Sequence, residues 1–202
     1  MVDELLRRYK PVSEQIEVAE LRVILSELEA VIRAQTYGAV VELGCFVGTT
    51  SLFIRRVLDE LDATRDFHVY DSFAGLPAKS SQDTSPVGQQ FETSQLAASK
   101  NQLTANFKKA RLAIPVIHKS WFGDITEDDM PSALAFAFLD GDFYGSIKTS
   151  LELVGPRLSI GGKVVVDDYQ SEALPGVKTA VDEWLERHQM RLRVEASLAI
   201  LG

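Results

Sequence analysis

The 202-residue sequence predicts an α/β fold, a mostly parallel sheet with helices on both faces, and three observations carry that expectation. Short β-branched or apolar runs alternate with segments of helical spacing. Most of these runs are apolar throughout, as strands covered on both faces must be. Several of them stop abruptly at an aspartate or a glycine. With right-handed crossovers between parallel strands, such a sheet collects its chemistry at the strands' carboxyl ends.

The elements follow in chain order. Residues 13–35 place Leu21, Ile24, Leu25, Leu28, Val31 and Ile32 on one helical face, with Ser13 available as N-cap. Residues 39–43 form a β-branched strand ending at Gly44, and residues 49–61 read as helix. A second strand spans 67–71, and a weaker one, weakened by Pro115, spans 114–118. Between them, residues 72–90 are rich in Gly, Pro, Ser, Thr and Gln and read as a loop and candidate lid, before a helical pattern over 93–111. Residues 134–139 and 162–166 are continuous apolar strands around a helix over 146–158. After Pro175 and Gly176 a helix covers 177–188, and residues 192–201 offer two short strands around Glu195, Ala196 and Ser197 that close the sheet as a hairpin. These strands total seven. The chain reads as a single domain over 1–202, with a helical segment over 1–36 and the sheet core over 37–202.

Composition narrows the function. Hydrophobic residues are 46% and charged residues 25%, ordinary values for a packed globular chain. Twenty-one basic against 29 acidic residues give a net charge of −8, which argues against gripping nucleic acid or anionic lipid by bulk charge. A lone cysteine, Cys45, excludes an internal disulfide framework and a multi-cysteine zinc site. No apolar run approaches the ~20 residues of a membrane span, and the first ten residues carry charges of both signs, so the expectation is a soluble cytoplasmic protein without membrane or nucleic-acid partners.

Three groups of residues could carry chemistry. Glu42, Gly44 and Gly48 lie between a strand and a helix, where glycine lets backbone approach a ligand closely. This is not the three-glycine fingerprint that seats a pyrophosphate. It suits S-adenosylmethionine, whose ammonium needs an acidic or carbonyl environment and whose carboxylate needs backbone N–H groups; a tight turn with no ligand is the alternative. Asp71 ends the second strand, where a carboxylate can accept ribose hydroxyls, a device NAD would use equally, or can simply form a turn. Asp140 and Asp142 follow one apolar strand and Asp167 and Asp168 the next, so parallel neighbours bring four carboxylates to one sheet edge. Their repulsion calls for a divalent cation, and all-oxygen ligation favours Mg²⁺ or Ca²⁺; helix capping and solvation are the alternative. If Asp140–Asp142 is extended, its two carboxylates point to the same side. Ser120 and Trp121 end the third strand, where they can flank an adenine, although a tryptophan there is more often core. His118, His188 and Cys45 read as ordinary packing residues.

With these residues in hand, the chain resembles the class I S-adenosylmethionine-dependent methyltransferases, and within them the macrocin O-methyltransferase family that modifies sugars of macrolides and related natural products. Residues 41–48 look like the family's cofactor motif and residues 69–77 (VYDSFAGLP) like its second-strand segment. Residues 139–144 (LDGDFY) and 161–169 (GGKVVVDDY) are similar to its metal-binding segments, with Pro175, Gly176 and Val177 following. The resemblance implies a Rossmann-like fold and a Mg²⁺-dependent O-methyltransferase acting on a hydroxyl of a small molecule, a sugar moiety of a natural product. It implies that Glu42, Gly44, Cys45, Phe46, Gly48, Thr49 and Ser51 form the cofactor turn, and that Asp71, Ser72, Ser120, Trp121 and Asp140 complete the cofactor site. It further implies Asp140, Asp167 and Asp168 as Mg²⁺ ligands and Asp140 or Asp142 as the group acting on the acceptor hydroxyl. Monomer or homodimer stays open. The rival readings are an NAD-dependent oxidoreductase and a non-catalytic nucleoside-binding protein of the same fold.

Overall fold

The computed structural model describes residues 1–89 and 91–202. Seven strands make one sheet: β1 (Ala39–Leu43), β2 (Phe67–Asp71), β3 (Val116–Lys119), β4 (Leu134–Leu139), β5 (Leu158–Val166), β6 (Leu192–Glu195) and β7 (Leu198–Leu201). Their order is β3-β2-β1-β4-β5-β7-β6. The first five in that order pair in parallel, and β7 pairs antiparallel with both β5 and β6. The expected α/β sheet with a closing hairpin is therefore present, its turn made by Ala196 and Ser197, both at positive φ.

Side-chain alternation divides the core in two. Val40, Val69, Phe136, Phe138 and Val165 face one layer, which contains α1 (Val2–Arg8), α2 (Val18–Arg33), α3 (Thr49–Leu61) and α4 (Lys100–Ala110). Val41, Leu43, Ala137, Leu139, Val164 and Val166 face the other, built on α5 (Tyr144–Val154) and α6 (Pro175–Leu185). All six residues of β4 are buried, which is why its sequence is continuously apolar. Among the described residues no helix is long and apolar enough to cross a membrane.

The element boundaries differ from the periodicity where local hydrogen bonding decides. The helix expected from residue 13 starts at Val18, because Glu17 and Glu20 form a reciprocal capping box. Ser13 instead places its hydroxyl 2.6 Å from Thr49 Oγ1. The helix expected from residue 93 starts at Lys100, where Ser99 and Gln102 form a second such box. β3 begins after Pro115, which lacks the N–H a strand must donate. α5 starts two residues earlier than its periodicity suggests and ends before Pro156, and α6 takes in Pro175 at its first turn, where a missing N–H costs nothing.

The loop expected over 72–90 is tied down. Among its described residues it contains one 3₁₀ turn, Ser81–Asp83, and Gln90 lies outside the described residues. Asp83 is 1% exposed. Its Oδ2 accepts the Ser80 N–H at 2.8 Å and its Oδ1 accepts the Tyr144 N–H, the first of α5, at 2.7 Å. A Cβ on Gly176 would lie 1.9 Å from that Oδ1, so α6 also presses its first turn on this carboxylate. Asp83→Ala leaves buried N–H groups without acceptors and should cost about 3 kcal/mol, a fall in Tm on the order of 10 °C. Thermal melts of Asp83→Ala and of Gly176→Ala, which meets the same oxygen from the other side, check this; unchanged Tm in both would contradict the anchor.

Candidate active site

The ladder between strands continues one residue beyond each strand end. Gly44 N–H donates to the Tyr70 carbonyl at 2.9 Å, Asp140 N–H to the Leu43 carbonyl at 2.8 Å and Asp167 N–H to the Leu139 carbonyl at 2.9 Å. On the far side Ser120 N–H donates to the Asp71 carbonyl at 3.0 Å. Gly44, Asp71, Ser120, Asp140 and Asp167 thus stand along one edge, as the parallel topology requires.

Gly44 is where backbones crowd. Its φ is +94°, and a Cβ there would sit 1.8 Å from the Asp140 carbonyl oxygen. The glycine is required by contact between the β1 turn and the end of β4, before any ligand is considered. Asp71 organises the same turn. Its Oδ2 accepts the N–H groups of Cys45 at 3.0 Å and Phe46 at 2.9 Å, and its Oδ1 accepts that of Phe73 at 2.7 Å. Glu42 lies behind the turn, 1% exposed, and Ser51 Oγ donates to its Oε2. Burial pushes the Glu42 carboxyl up to about 8 against the opposing effect of Ser51.

The acidic cluster converges. Asp140, Asp142 and Asp168 can each offer one carboxylate oxygen such that all three lie within 4.8 Å of one another. Asp167 stands outside that trio, 5% exposed, with its Oδ1 accepting the Asp168 N–H at 2.9 Å. Asp142 and Asp168 both hold left-handed backbone, φ 59° and 58°, rare for a side chain with a Cβ and typical of functional turns. Asp140–Asp142 is accordingly not the extended segment expected: Phe143 N–H donates to the Gly141 carbonyl at 2.6 Å, closing a three-residue turn around Asp142. That turn aims both carboxylates into one cavity.

None of these four aspartates has an ion-pair partner among the described residues. Burial, then the charges of Asp168 and Asp71, push Asp142 up to about 7, and burial followed by Glu20 pushes Asp168 up to about 6. Asp140 and Asp167 are driven well above the carboxylate range by burial first, with the charge of Asp167 next at Asp140 and those of Asp168 and then Glu20 next at Asp167. A crowd of hard oxygen donors short of positive charge fits a divalent cation.

The cavity has a volume of about 180 Å³. Of the residues expected to hold the cofactor, Gly44, Phe46, Asp71, Ser72, Ser120, Trp121 and Asp140 line it. Glu42, Cys45, Gly48, Thr49 and Ser51 are not on its wall and support the turn from behind; a Cβ on Gly48 would meet Leu103 Cδ1 of α4 at 2.3 Å. Trp121 is 43% exposed at the rim and not in the core, a placement that leaves its ring available to a ligand. Sequence reasoning missed Gln15, Leu76, Pro77, Phe91, Leu96, Phe122 and Ser146, which also line the cavity. Phe91 and Leu96, isolated apolar residues in a polar stretch, were the available signal; Gln15 had none. His188 stacks on Trp184 with ring centroids 4.0 Å apart, His118 stacks on Tyr70 at 4.3 Å, and none of these rings reaches the cavity.

The family model for macrocin O-methyltransferase (TylF) matches residues 16–196. The chain belongs to the macrocin O-methyltransferase family. It is 33% identical over 168 residues to the 8-demethyl-8-(2,3-dimethoxy-alpha-L-rhamnosyl)-tetracenomycin-C 4'-O-methyltransferase of Streptomyces olivaceus, covering 80% of this chain and 63% of that protein. It is 32% identical over 174 residues to the mycinamicin III 3''-O-methyltransferase of Micromonospora griseorubida, covering 80% and 65%. The chain thus spans a little under two thirds of the length of these family members. The structure of the O-methyltransferase NovP is similar with a TM-score of 0.80 at 28% identity, covering 93% of this chain and 80% of that one.

Two outcomes follow from the geometry. Gly44→Ala should cost on the order of 3 kcal/mol, because a side chain at positive φ must also displace the Asp140 carbonyl. Denaturant unfolding reads the loss; an unchanged midpoint would contradict the contact. The second concerns pH. Asp142 and Asp168 rise from an ordinary 3.8 to about 7 and about 6, so the cation-free fold keeps their stabilising contribution below the ordinary value and loses it as pH rises through 6 to 7. In chelator, Tm should therefore fall between about pH 5 and about pH 8. Melts in chelator at both pH values test this; a Tm unchanged between them would contradict it.

Proposed function

We propose that this chain transfers the methyl group of S-adenosylmethionine to a hydroxyl oxygen of a polyhydroxylated small molecule, of the sugar-bearing natural-product class. The observation that carries this reading is the convergence of Asp140, Asp142 and Asp168 in the cavity that also receives the Gly44 turn, Asp71 and Trp121, within a macrocin O-methyltransferase family chain. Backbone at Gly44 and Phe46 would meet the amino-acid portion of the cofactor, Asp71 and Ser72 its ribose, and Ser120 and Trp121 its adenine. Asp140 and Asp168 would hold Mg²⁺, with Asp167 or Asp142 completing the set.

The sulfonium is already a good leaving group, so the protein has to place the oxygen in line and relieve it of its proton. As the new O–C bond forms, the methyl C–S bond breaks and its electron pair stays on sulfur, leaving S-adenosylhomocysteine and a methyl ether. Asp142, whose carboxylate converges with those of Asp140 and Asp168 in the cavity, accepts the hydroxyl proton. Mg²⁺ held there would supply charge that stabilises alkoxide character at the acceptor. Asp140 and Asp168 set where that charge sits, and Leu76, Phe91 and Leu96 keep water from the cleft.

Methyl transfer from labelled S-adenosylmethionine, with cofactor binding followed by calorimetry, tests the reading. S-adenosylhomocysteine should bind and NAD should not. Transfer should stop in chelator and return with Mg²⁺. Asp142→Asn should retain S-adenosylhomocysteine binding and lose about 100-fold or more in turnover. Asp168→Ala should lose Mg²⁺ affinity, and comparing Asp142→Asn with Asp167→Asn for Mg²⁺ binding identifies the remaining ligand. Undiminished transfer in excess chelator, or tight NAD binding, would overturn the reading.

A further inference from the structure

The two turns that carry the acidic cluster share an architecture that the chemistry proposed above does not use. Each holds one aspartate in left-handed backbone, Asp142 at φ 59° and Asp168 at φ 58°. Each is followed by a tyrosine, Tyr144 two residues after Asp142 and Tyr169 directly after Asp168. Neither tyrosine lines the cavity. Both hydroxyls end on α6 instead: Tyr169 donates to Asp182 Oδ1 at 2.7 Å and Tyr144 donates to Glu183 Oε2 at 2.7 Å. A lysine fixes the sense of each bond. Lys178 Nζ donates to the Tyr169 oxygen and Lys148 Nζ to the Tyr144 oxygen, both at 3.2 Å, so each phenol gives its own proton to the carboxylate.

Asp182 and Glu183 are consecutive residues of one helix, so their side chains diverge by about 100° around its axis. That divergence lets a single helix hold the turn after β4 and the turn after β5. Backbone bonds close the second of these, Ser171 N–H on the Asp168 carbonyl at 3.0 Å and Gln170 N–H on the Ser197 carbonyl at 3.1 Å, and the Tyr169 bond ties the closed turn to α6. Tyr144 is held at both ends, since its N–H goes to Asp83, on which Gly176 of α6 packs. Stability is a poor explanation for the tyrosine bonds. The side chains of Lys178 and Asp182 are 55% and 43% exposed, and polar pairs so open to water contribute little to folding. What they supply is direction: a left-handed aspartate persists only where its surroundings over-determine it, and outer partners of this kind orient metal-ligating carboxylates.

We infer that Asp182 and Glu183 are positioning residues for the acidic cluster: through Tyr169 and Tyr144 they set, from one helix, the separation of the Asp168 and Asp142 carboxylates. The inference rests on the cation site proposed above and gives it a support that lies outside the cavity.

Calorimetric titration of the full chain with Mg²⁺, with S-adenosylhomocysteine titrated separately and Tm recorded, tests it. Tyr169→Phe and Tyr144→Phe keep each ring and remove only its hydroxyl, and each should weaken Mg²⁺ binding about tenfold. Tm and S-adenosylhomocysteine affinity should change little, because the Gly44 turn is held separately by Asp71. Asp182→Ala should match Tyr169→Phe, and the two together should be no weaker than either alone. Asp182→Asn, which keeps an acceptor for the phenol, should recover most of the affinity. Unchanged Mg²⁺ affinity in Tyr169→Phe would overturn the role of Asp182, and in Tyr144→Phe that of Glu183, whatever happens to Tm. Equal losses of Mg²⁺ and S-adenosylhomocysteine affinity would overturn both, since they mark a general loosening. An unaltered chain that binds S-adenosylhomocysteine but no Mg²⁺ would remove the cation site itself, and this inference with it.

Discussion

The constraint on which the rest of the structure depends is the complete burial of β4. Its six residues, Leu134 to Leu139, are all shielded from water, with Phe136 and Phe138 toward one helix layer and Ala137 and Leu139 toward the other. Burying its two leucines and two phenylalanines is worth on the order of 10 kcal/mol, and the chain collects it only by covering both faces. Helices on both faces require crossovers, and crossovers of one hand set the neighbouring strands parallel. Parallel strands end together. Each polar residue that stops an apolar run is therefore delivered to the same edge, which is how Gly44, Asp71, Asp140 and Asp167 meet although they are far apart in sequence.

This explains why so much of the fold could be read in advance and why particular features could not. A strand buried on both faces has to be apolar without interruption, so β4 and the end of β5 stand out, and the aspartates that end them stand out equally. Helix starts are less visible because they depend on a few hydrogen bonds and not on periodicity: Ser13 carries a capping side chain, yet the Glu17 and Glu20 pair wins the position. The Ser99 and Gln102 box has a recognisable spacing and was available to the eye. The Asp83 anchor was not, since the partner it holds, Tyr144 N–H, is 61 residues away. The turn around Asp142 was hidden for a different reason. Nothing in Asp-Gly-Asp states which residue takes the left-handed conformation, and glycine would be the first choice, whereas here Asp142 takes it and Gly141 packs closely on Ser146.

The placement of Asp71 and Glu42 shows how one turn serves two requirements. Asp71 spends much of its acceptor capacity on the N–H groups of Cys45, Phe46 and Phe73, so the carboxylate holds the glycine turn in shape whether or not a ligand is present. Glu42, held from behind by Ser51, ties β1 to the first turn of α3. The turn is thereby preorganised by side chains that reach it from two directions. Cys45 sits between them with its thiol raised by burial, which leaves it without thiolate reactivity and consistent with packing.

Against this well-supported turn, the acidic cluster is deliberately uncomfortable. Asp142 and Asp168 adopt a backbone conformation that side chains avoid, and four aspartates share a buried edge with no lysine or arginine paired to them among the described residues. Sites of this kind persist only when their surroundings over-determine them. Here the ladder hydrogen bonds to Leu43 and Leu139 hold the first aspartate of each pair, and the Asp83 anchor holds the starts of the helices that follow. Asp83 also accepts the first N–H of α5, so that donor is not free to face the cluster. The cluster has no lysine or arginine paired to it among the described residues, so its repulsion is relieved by protonation of the carboxyls or by the divalent cation proposed above.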